Sequence, residues 1–264
     1  MNDASHFLES IDGLACDLDG VVYRGDVPID GAIRALRVLH EMGKRVVFCT
    51  NNSTHTQDAY VQKLAGMGLQ VDRDDVITSA SVLGEVLEHR GFGGKRALVV
   101  GGDGVRRALQ DAGVLLADDD GEVDAVVVGR DVNFDFIALH RASTAVRAGA
   151  EFLATNDDAT YPATDGLEPG AGPLVAAIAV ASGRGAEVVG KPHPPMMEAV
   201  ARRFPPNARL AMAGDRPETD LDGARARGWK SILVLSGVTD ESSAWMLDPR
   251  PDLVLEDLGG LLGG

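Results

Sequence analysis

The chain has 264 residues, of which 45% are hydrophobic, 5% aromatic and 25% charged. That length supports a substantial core in one large domain or two modest ones, and 32 glycines and 12 prolines are too few for a collagen-like or low-complexity chain. Forty acidic residues against 25 basic ones leave a formal charge of −15, which repels polyanions and argues against nucleic-acid binding. A small anionic substrate remains compatible with that charge, because a local cluster of donors overrides the global field.

The opening MNDASHFLES has neither the positive start nor the apolar stretch of a signal peptide. Leu14-Ala15-Cys16 reads as a buried strand, and Val46 to Cys49 as a second. Between them Ile33, Leu36, Leu39 and Met42 recur at the spacing of one helix face, with Asp30 expected as its N-cap and Gly43 as its stop. Ala97–Val100, Ala125–Val128 and Phe152–Thr155 are strand-like, with helical segments near 103–111 and 135–148 separating them. The longest apolar stretch, Leu174 to Ala181, is far too short to span a bilayer. Near the C-terminus Leu210–Ala213 reads as a strand, Glu218–Arg227 as a helix and Ile232–Leu235 as another strand. Strand, helix and strand in close succession predict right-handed crossovers and a mainly parallel sheet, placing the chain in the α/β class. Cys16 and Cys49, the only cysteines, both sit in apolar runs. They are too few for a disulfide framework or a four-ligand zinc site, so they read as buried thiols of a cytoplasmic protein with no membrane attachment.

Four segments carry polar residues directly after strands. Asp17-Leu18-Asp19-Gly20 follows the first strand, and residues two apart on extended chain point the same way, so Asp17 and Asp19 can share a site. Two such carboxylates resist joint ionisation, which suggests a hard metal ion with oxygen ligands or a proton shared between them. Taken alone, the segment is also an ordinary acidic turn. Thr50-Asn51-Asn52-Ser53 offers hydroxyl, amide and backbone N–H groups suited to a phosphate, and equally suited to capping a helix. Lys191, in Gly190-Lys191-Pro192 after Val188-Val189, can set its ammonium over a phosphoryl group or lie on the surface. In Gly214-Asp215-Arg216-Pro217-Glu218-Thr219-Asp220, Asp215 sits at a strand end and Asp220 about one helical turn further on, with Pro217 suited to a first turn. In an open parallel sheet ligands bind beyond the carboxyl ends of the strands, so all four segments are expected on one edge of one sheet. They occur only before about residue 55 and after about residue 190, which predicts an inserted domain spanning 80–185 between core segments 1–79 and 186–264.

In that order, DLDGVVY at 17–23, TNNS at 50–53, GKP at 190–192 and GDRPETD at 214–220 resemble the four motifs of the haloacid dehalogenase superfamily. TNDDATYP at 155–162 and PGAG at 169–172 resemble the cap of its NagD-like, 4-nitrophenylphosphatase-like branch, class IIA. The resemblance covers nearly the whole chain. It implies a Rossmann-like, doubly wound parallel core, a large α/β cap inserted after the second motif, and a Mg2+-dependent phosphatase of small-molecule phosphate esters. By the same resemblance Asp17 is the nucleophile and Asp19 the general acid and base. Thr50, Asn51 and Asn52 hold phosphoryl oxygens, and Lys191 bridges Asp17 and phosphate. Asp17, the backbone carbonyl of Asp19 and Asp215 ligate magnesium, with Asp220 in support. Tyr161 is the candidate for substrate specificity, ahead of Asp157 and Asn156, although it serves equally well as cap core. Relatives of this kind are compatible with a homodimer.

Other features carry less. Gly101-Gly102-Asp103-Gly104 lacks the dinucleotide fingerprint and a Walker lysine, and reads as a cap turn. Asp118-Asp119-Asp120 reads as a solvated loop, and His193, beside Lys191, receives no role. A phosphotransferase or phosphomutase would share the aspartyl phosphate and these motifs. A receiver-like phosphoacceptor module would share the residue types, but it needs about half this length and a different motif order.

Overall fold

The computed structural model describes residues 3–119, 121–163 and 166–263. They form two compact units, one of residues 1–50, 60–77 and 196–264, the other of residues 51–59 and 78–195. The strands in chain order are β1 (Gly13–Cys16), β2 (Tyr23–Arg24), β3 (Val27–Pro28), β4 (Arg45–Thr50), β5 (Val76–Thr78), β6 (Arg96–Val100), β7 (Leu115–Leu116), β8 (Ala125–Val128), β9 (Glu151–Ala154), β10 (Thr160–Ala163), β11 (Gly166–Pro169), β12 (Glu187–Val188), β13 (Leu210–Gly214), β14 (Lys230–Val234) and β15 (Leu253–Leu255).

The first unit holds a six-stranded sheet ordered β15-β14-β13-β1-β4-β5, with β1 parallel to both β13 and β4. The chain runs outward from β1 through β4 to β5, then restarts at β13 on the other side of β1 and continues to β14 and β15. The strand order therefore reverses between β1 and β13, and a reversal of that kind leaves a crevice at the carboxyl ends of the two strands. Both strands are wholly buried, which explains why they read as continuous apolar runs without alternation. The helix Asp30–Glu41 covers the sheet with Ala32, Ile33, Ala35, Leu36 and Leu39, all buried in one cluster with Leu14, Cys16 and Phe48. Each large apolar side chain buried there contributes roughly 1.5–3 kcal/mol. Asp30, expected as the cap of this helix, is instead its first residue. Ile29 holds the cap position without a side-chain bond, and Asp30 lies in the first turn, where a carboxylate favours the positive end of the helix. The helix stops at Met42, and Gly43 adopts a left-handed φ of 71°.

The second unit is built on a five-stranded sheet ordered β12-β9-β8-β6-β7, parallel throughout. Leu98, Val100, Val126, Val128 and Phe152 of its strands pack with Ala142 and Val146 of the helix Phe136–Ala148 and Ile178 of the helix Gly172–Ser182. A separate antiparallel hairpin, β10–β11, belongs to the same unit. The segment Gly101-Gly102 does form a turn into a helix, Asp103–Asp111, with Gly102 at the cap position. Asp118 and Asp119 are exposed, and Asp119 pairs with Arg96; Asp120 lies outside the described residues.

Two expectations need correction. Lys191 does not follow a strand of the six-stranded sheet, because the preceding β12 pairs with β9 in the five-stranded one. An edge strand of two residues says nothing in sequence about which sheet it joins. The helix expected over Glu218–Arg227 is divided into a five-residue turn of π type, Pro217–Leu221, and a short α-helix, Asp222–Ala226. The wider turn accompanies the backward reach of Asp220, whose Oδ2 accepts the Arg216 N–H at 3.1 Å.

Candidate active site

In the first unit, Asp17 directly follows β1 and keeps the ladder going, its N–H donating to the Ala213 carbonyl at 2.9 Å. Asp215 follows β13, the neighbouring strand across the reversal, and Asp220 returns from the π turn. The three are buried, and each offers a carboxylate oxygen such that the three oxygens lie within 4.8 Å of one another. This is the one cluster of three or more metal-binding side chains among the described residues. Three carboxylates that close repel one another unless a cation offsets their charge. Hard oxygen donors are the ligands magnesium takes, so the set fits that ion.

Asp215 is held from a loop that the sequence reading did not single out. Its Oδ2 accepts the Val238 N–H at 2.7 Å, and its carbonyl accepts the Thr239 hydroxyl at 2.6 Å. A Cβ on Gly237 would collide with the Asp215 carboxylate, and one on Gly20 would lie 2.5 Å from its Oδ2. Gly20 also needs glycine for its φ of 83°, which turns the chain after Asp19. The signal for this loop was Ser236-Gly237-Val238-Thr239 directly after a strand, the same placement that marked the four chosen segments.

Asp19 is half-buried, and its side chain is not part of the three-carboxylate cluster. The turn that follows it is tight: the Gly20 N–H donates to the Tyr23 carbonyl at 2.8 Å, and the Ser236 hydroxyl donates to the Gly20 carbonyl at 2.7 Å. Thr50, 2% exposed, ends β4 on the other side of β1.

The remaining predicted residues belong to the second unit. Asn51 is buried, and its side-chain amide is engaged at both ends: Oδ1 accepts the Lys191 N–H at 2.7 Å, while Nδ2 donates to the Lys191 carbonyl at 2.9 Å and to Asp158 Oδ1 at 3.1 Å. The carbonyl of Asn51 accepts from the Ser79 hydroxyl at 2.6 Å and from Asn156 Nδ2 at 2.7 Å. Lys191 itself is only 2% exposed, which is not the condition of a surface lysine. Asn52 accepts at Oδ1 from the Thr54 N–H at 3.0 Å and from its hydroxyl at 2.7 Å, and donates from Nδ2 to the Tyr161 hydroxyl oxygen at 3.3 Å. Tyr161 lies on β10 and is half-buried. Of the two lesser specificity candidates, Asn156 is buried in the bonds that hold Asn51, and Asp157 lies 3.4 Å from His193 Nε2.

Comparison with known proteins matches residues 14–115 to the haloacid dehalogenase-like hydrolase model and residues 188–261 to a second, HAD-hydrolase-like model. The chain is 37% identical over 259 residues to phosphoglycolate phosphatase 2 of Arabidopsis thaliana, covering 89% of this chain and 86% of that one. Its fold matches the crystal structure of 4-nitrophenylphosphatase from Thermotoga maritima with a TM-score of 0.90 at 34% identity, over 98% of this chain and 99% of that one. It also matches glycerol phosphate phosphatase from Mycobacterium tuberculosis, solved in complex with magnesium, with a TM-score of 0.86 at 35% identity, over 99% of this chain and 78% of that one.

Proposed function

Since this chain belongs to the haloacid dehalogenase-like hydrolase family, we propose that it is a magnesium-dependent phosphatase that hydrolyses small-molecule phosphate monoesters through an aspartyl-phosphate intermediate. The observation that carries this reading is the buried meeting of Asp17, Asp215 and Asp220 beside a reversal of strand order. Asp17, Asp215 and the backbone carbonyl of Asp19 would hold the ion, with Asp220 in support. When bound, magnesium supplies positive charge that offsets the phosphate dianion and polarises its oxygens.

In this reading Thr50 and the backbone N–H of Asn52 bind phosphoryl oxygens. Lys191 adds a cation whose effect is largest where water is excluded. The Asn51 amide contributes by clamping the Lys191 backbone. A carboxylate oxygen of Asp17 attacks phosphorus in line, and the bond from phosphorus to the ester oxygen breaks. Asp19, protonated, gives its proton to the departing alkoxide. Asp19, now a carboxylate, then takes a proton from water as the water oxygen attacks phosphorus. The bond to Asp17 breaks, releasing inorganic phosphate and restoring both carboxyl groups. Tyr161 contacts the leaving group and contributes to selection among esters. The buried thiols of Cys16 and Cys49, neither in a disulfide, support a cytoplasmic location. Among the described residues no helix is long and apolar enough to cross a membrane. The assembly in this reading is a homodimer, supported by the exposed apolar side chains of Val132, Phe136 and Ile137 in the second unit.

The test is release of inorganic phosphate from 4-nitrophenyl phosphate and glycerol 3-phosphate, with magnesium and after chelation. Asp17→Asn is expected to reduce release to background while circular dichroism shows a folded protein. Wild-type rates from Asp17→Asn, or rates indifferent to magnesium, would sink the proposal. Loss of ester without matching phosphate release in the presence of an added alcohol would instead indicate a phosphotransferase.

A further inference from the structure

Among the described residues the hairpin β10–β11 shares no ladder with the five-stranded sheet of its own unit; backbone bonds tie its base at Gly170 and Gly172, and side chains reach its strands. Arg130, two residues beyond β8, reaches both hairpin strands. Its guanidinium lies 4.4 Å from the centroid of the Tyr161 ring on β10. Its Nη2 pairs with Glu168 on β11, and its Nε donates to the Pro169 carbonyl at 3.3 Å. Tyr161 and Glu168 are direct cross-strand partners, so one planar group covers the ring of one residue and binds the carboxylate of the other. The Arg130 side chain is only 16% exposed while that of Glu168 is 51% exposed, so burial strengthens the ring contact and leaves the ion pair partly solvated. The phenol oxygen of Tyr161 in turn receives the Asn52 amide, whose other end is held by Thr54. Arginine can stack and pair in this way where lysine cannot, because its donors lie in the plane that stacks.

We propose that Arg130 is a positioning residue that holds Tyr161 in one orientation, so that substrate selection by this hairpin depends on Arg130 although it does not touch substrate. With its charge balanced by Glu168, Arg130 presents no free cation, and the hairpin offers leaving groups an oriented phenol in place of an anion receptor. This inference rests on the reading above in one respect, that Tyr161 meets the leaving group.

Two measurements test it. First, kcat and KM are determined separately for Arg130→Met, Arg130→Lys, Tyr161→Ala and the Arg130→Met/Tyr161→Ala double variant on 4-nitrophenyl phosphate, glycerol 3-phosphate and 2-phosphoglycolate. Arg130→Met is expected to change the ratios of kcat/KM among these esters by about tenfold, mainly through KM, a size typical of coupled neighbours. Arg130→Lys, which keeps the charge but loses the planar stack, restores part of the ratio. In the Tyr161→Ala background Arg130→Met adds nothing. Unchanged ratios, an equal loss on every ester, or the same shift in the absence of Tyr161 would overturn the proposal. Second, the chain has three tyrosines, so ring-labelled NMR resolves Tyr161 by comparison with Tyr161→Phe. Arg130→Met is expected to shift and broaden that signal, and an unmoved signal overturns the proposal whether or not any ester is hydrolysed. Failure of the phosphatase reading would show separately, as wild-type protein inactive on every ester.

Discussion

At the scale of single residues, Asp17 and Asp19 are chemically alike and differ in surroundings. Asp17 continues a buried strand and joins Asp215 and Asp220, whereas the half-buried Asp19 keeps its carboxylate outside that cluster. In the proposed mechanism the carboxylate outside the cluster is the one that exchanges a proton with the leaving group. Removing it should therefore matter most where the leaving group is a strong base. Asp19→Ala is expected to slow alkyl phosphate hydrolysis by about 10²- to 10⁴-fold and 4-nitrophenyl phosphate hydrolysis much less. Parallel kcat measurements on the two esters check this, and equal losses would remove Asp19 from the proton-transfer role. Both aspartates were legible in the sequence because their position after a buried strand is a local property. The holding of Asp215 by Val238 and Thr239 was not, since it joins residues more than twenty positions apart.

At the scale of elements, most strands and helices follow from apolar runs and one-face periodicity. The predicted helix 103–111 is Asp103–Asp111, and that near 135–148 is Phe136–Ala148, with Asp135 accepting the Ala138 N–H at 2.8 Å as its cap. Caps were harder to place. Asp30 was expected to cap a helix and lies inside it, while Thr78, which was not singled out, makes a reciprocal cap with Ser81 at 3.0 Å in each direction. Asp, Ser and Thr favour both the cap and the first turn, so residue type alone does not separate the two positions. Thr78 is 1% exposed, and without its hydroxyl the Ser81 N–H loses its cap acceptor. Thr78→Ala is expected to destabilise the protein by about 1 kcal/mol. The urea midpoint measures this, and an unchanged midpoint would show that the cap contributes nothing.

At the scale of the molecule, the acidic chain closes some of its charge into specific pairs. Asp12 and Arg209 join the starts of β1 and β13, the ends opposite Asp17 and Asp215. The Asp12 N–H donates to the Arg209 carbonyl at 2.7 Å, and Arg209 Nη2 lies 2.6 Å from the Asp12 carboxylate. The Arg209 hydrogen bonds hold the Asp12 carboxyl well below the usual carboxylate range. A carboxyl whose folded pKa is depressed stabilises the fold above its unfolded value, near 3.9, and loses that contribution as the pH falls toward the folded value. The pair is solvent-exposed, so the contribution is small. Asp12→Asn is expected to lower stability slightly at pH 7 and to converge with wild type in strong acid. Thermal melts at pH 7 and pH 2 measure it, and a constant difference at both would exclude the mechanism.

The amino-acid sequence by itself determined the α/β class, the parallel strands, the buried thiols and the polar residues that follow each strand. Those properties depend on side-chain type and spacing within a few residues, where local preference and burial act. Only the tertiary structure decided that β12 joins the five-stranded sheet, that Asp220 turns back toward Asp215, that the Asn51 amide holds Lys191, and that Arg130 covers Tyr161. These depend on strand neighbours and register across tens to hundreds of residues, where the same side chains could have met other partners and only packing of the whole chain selects among them.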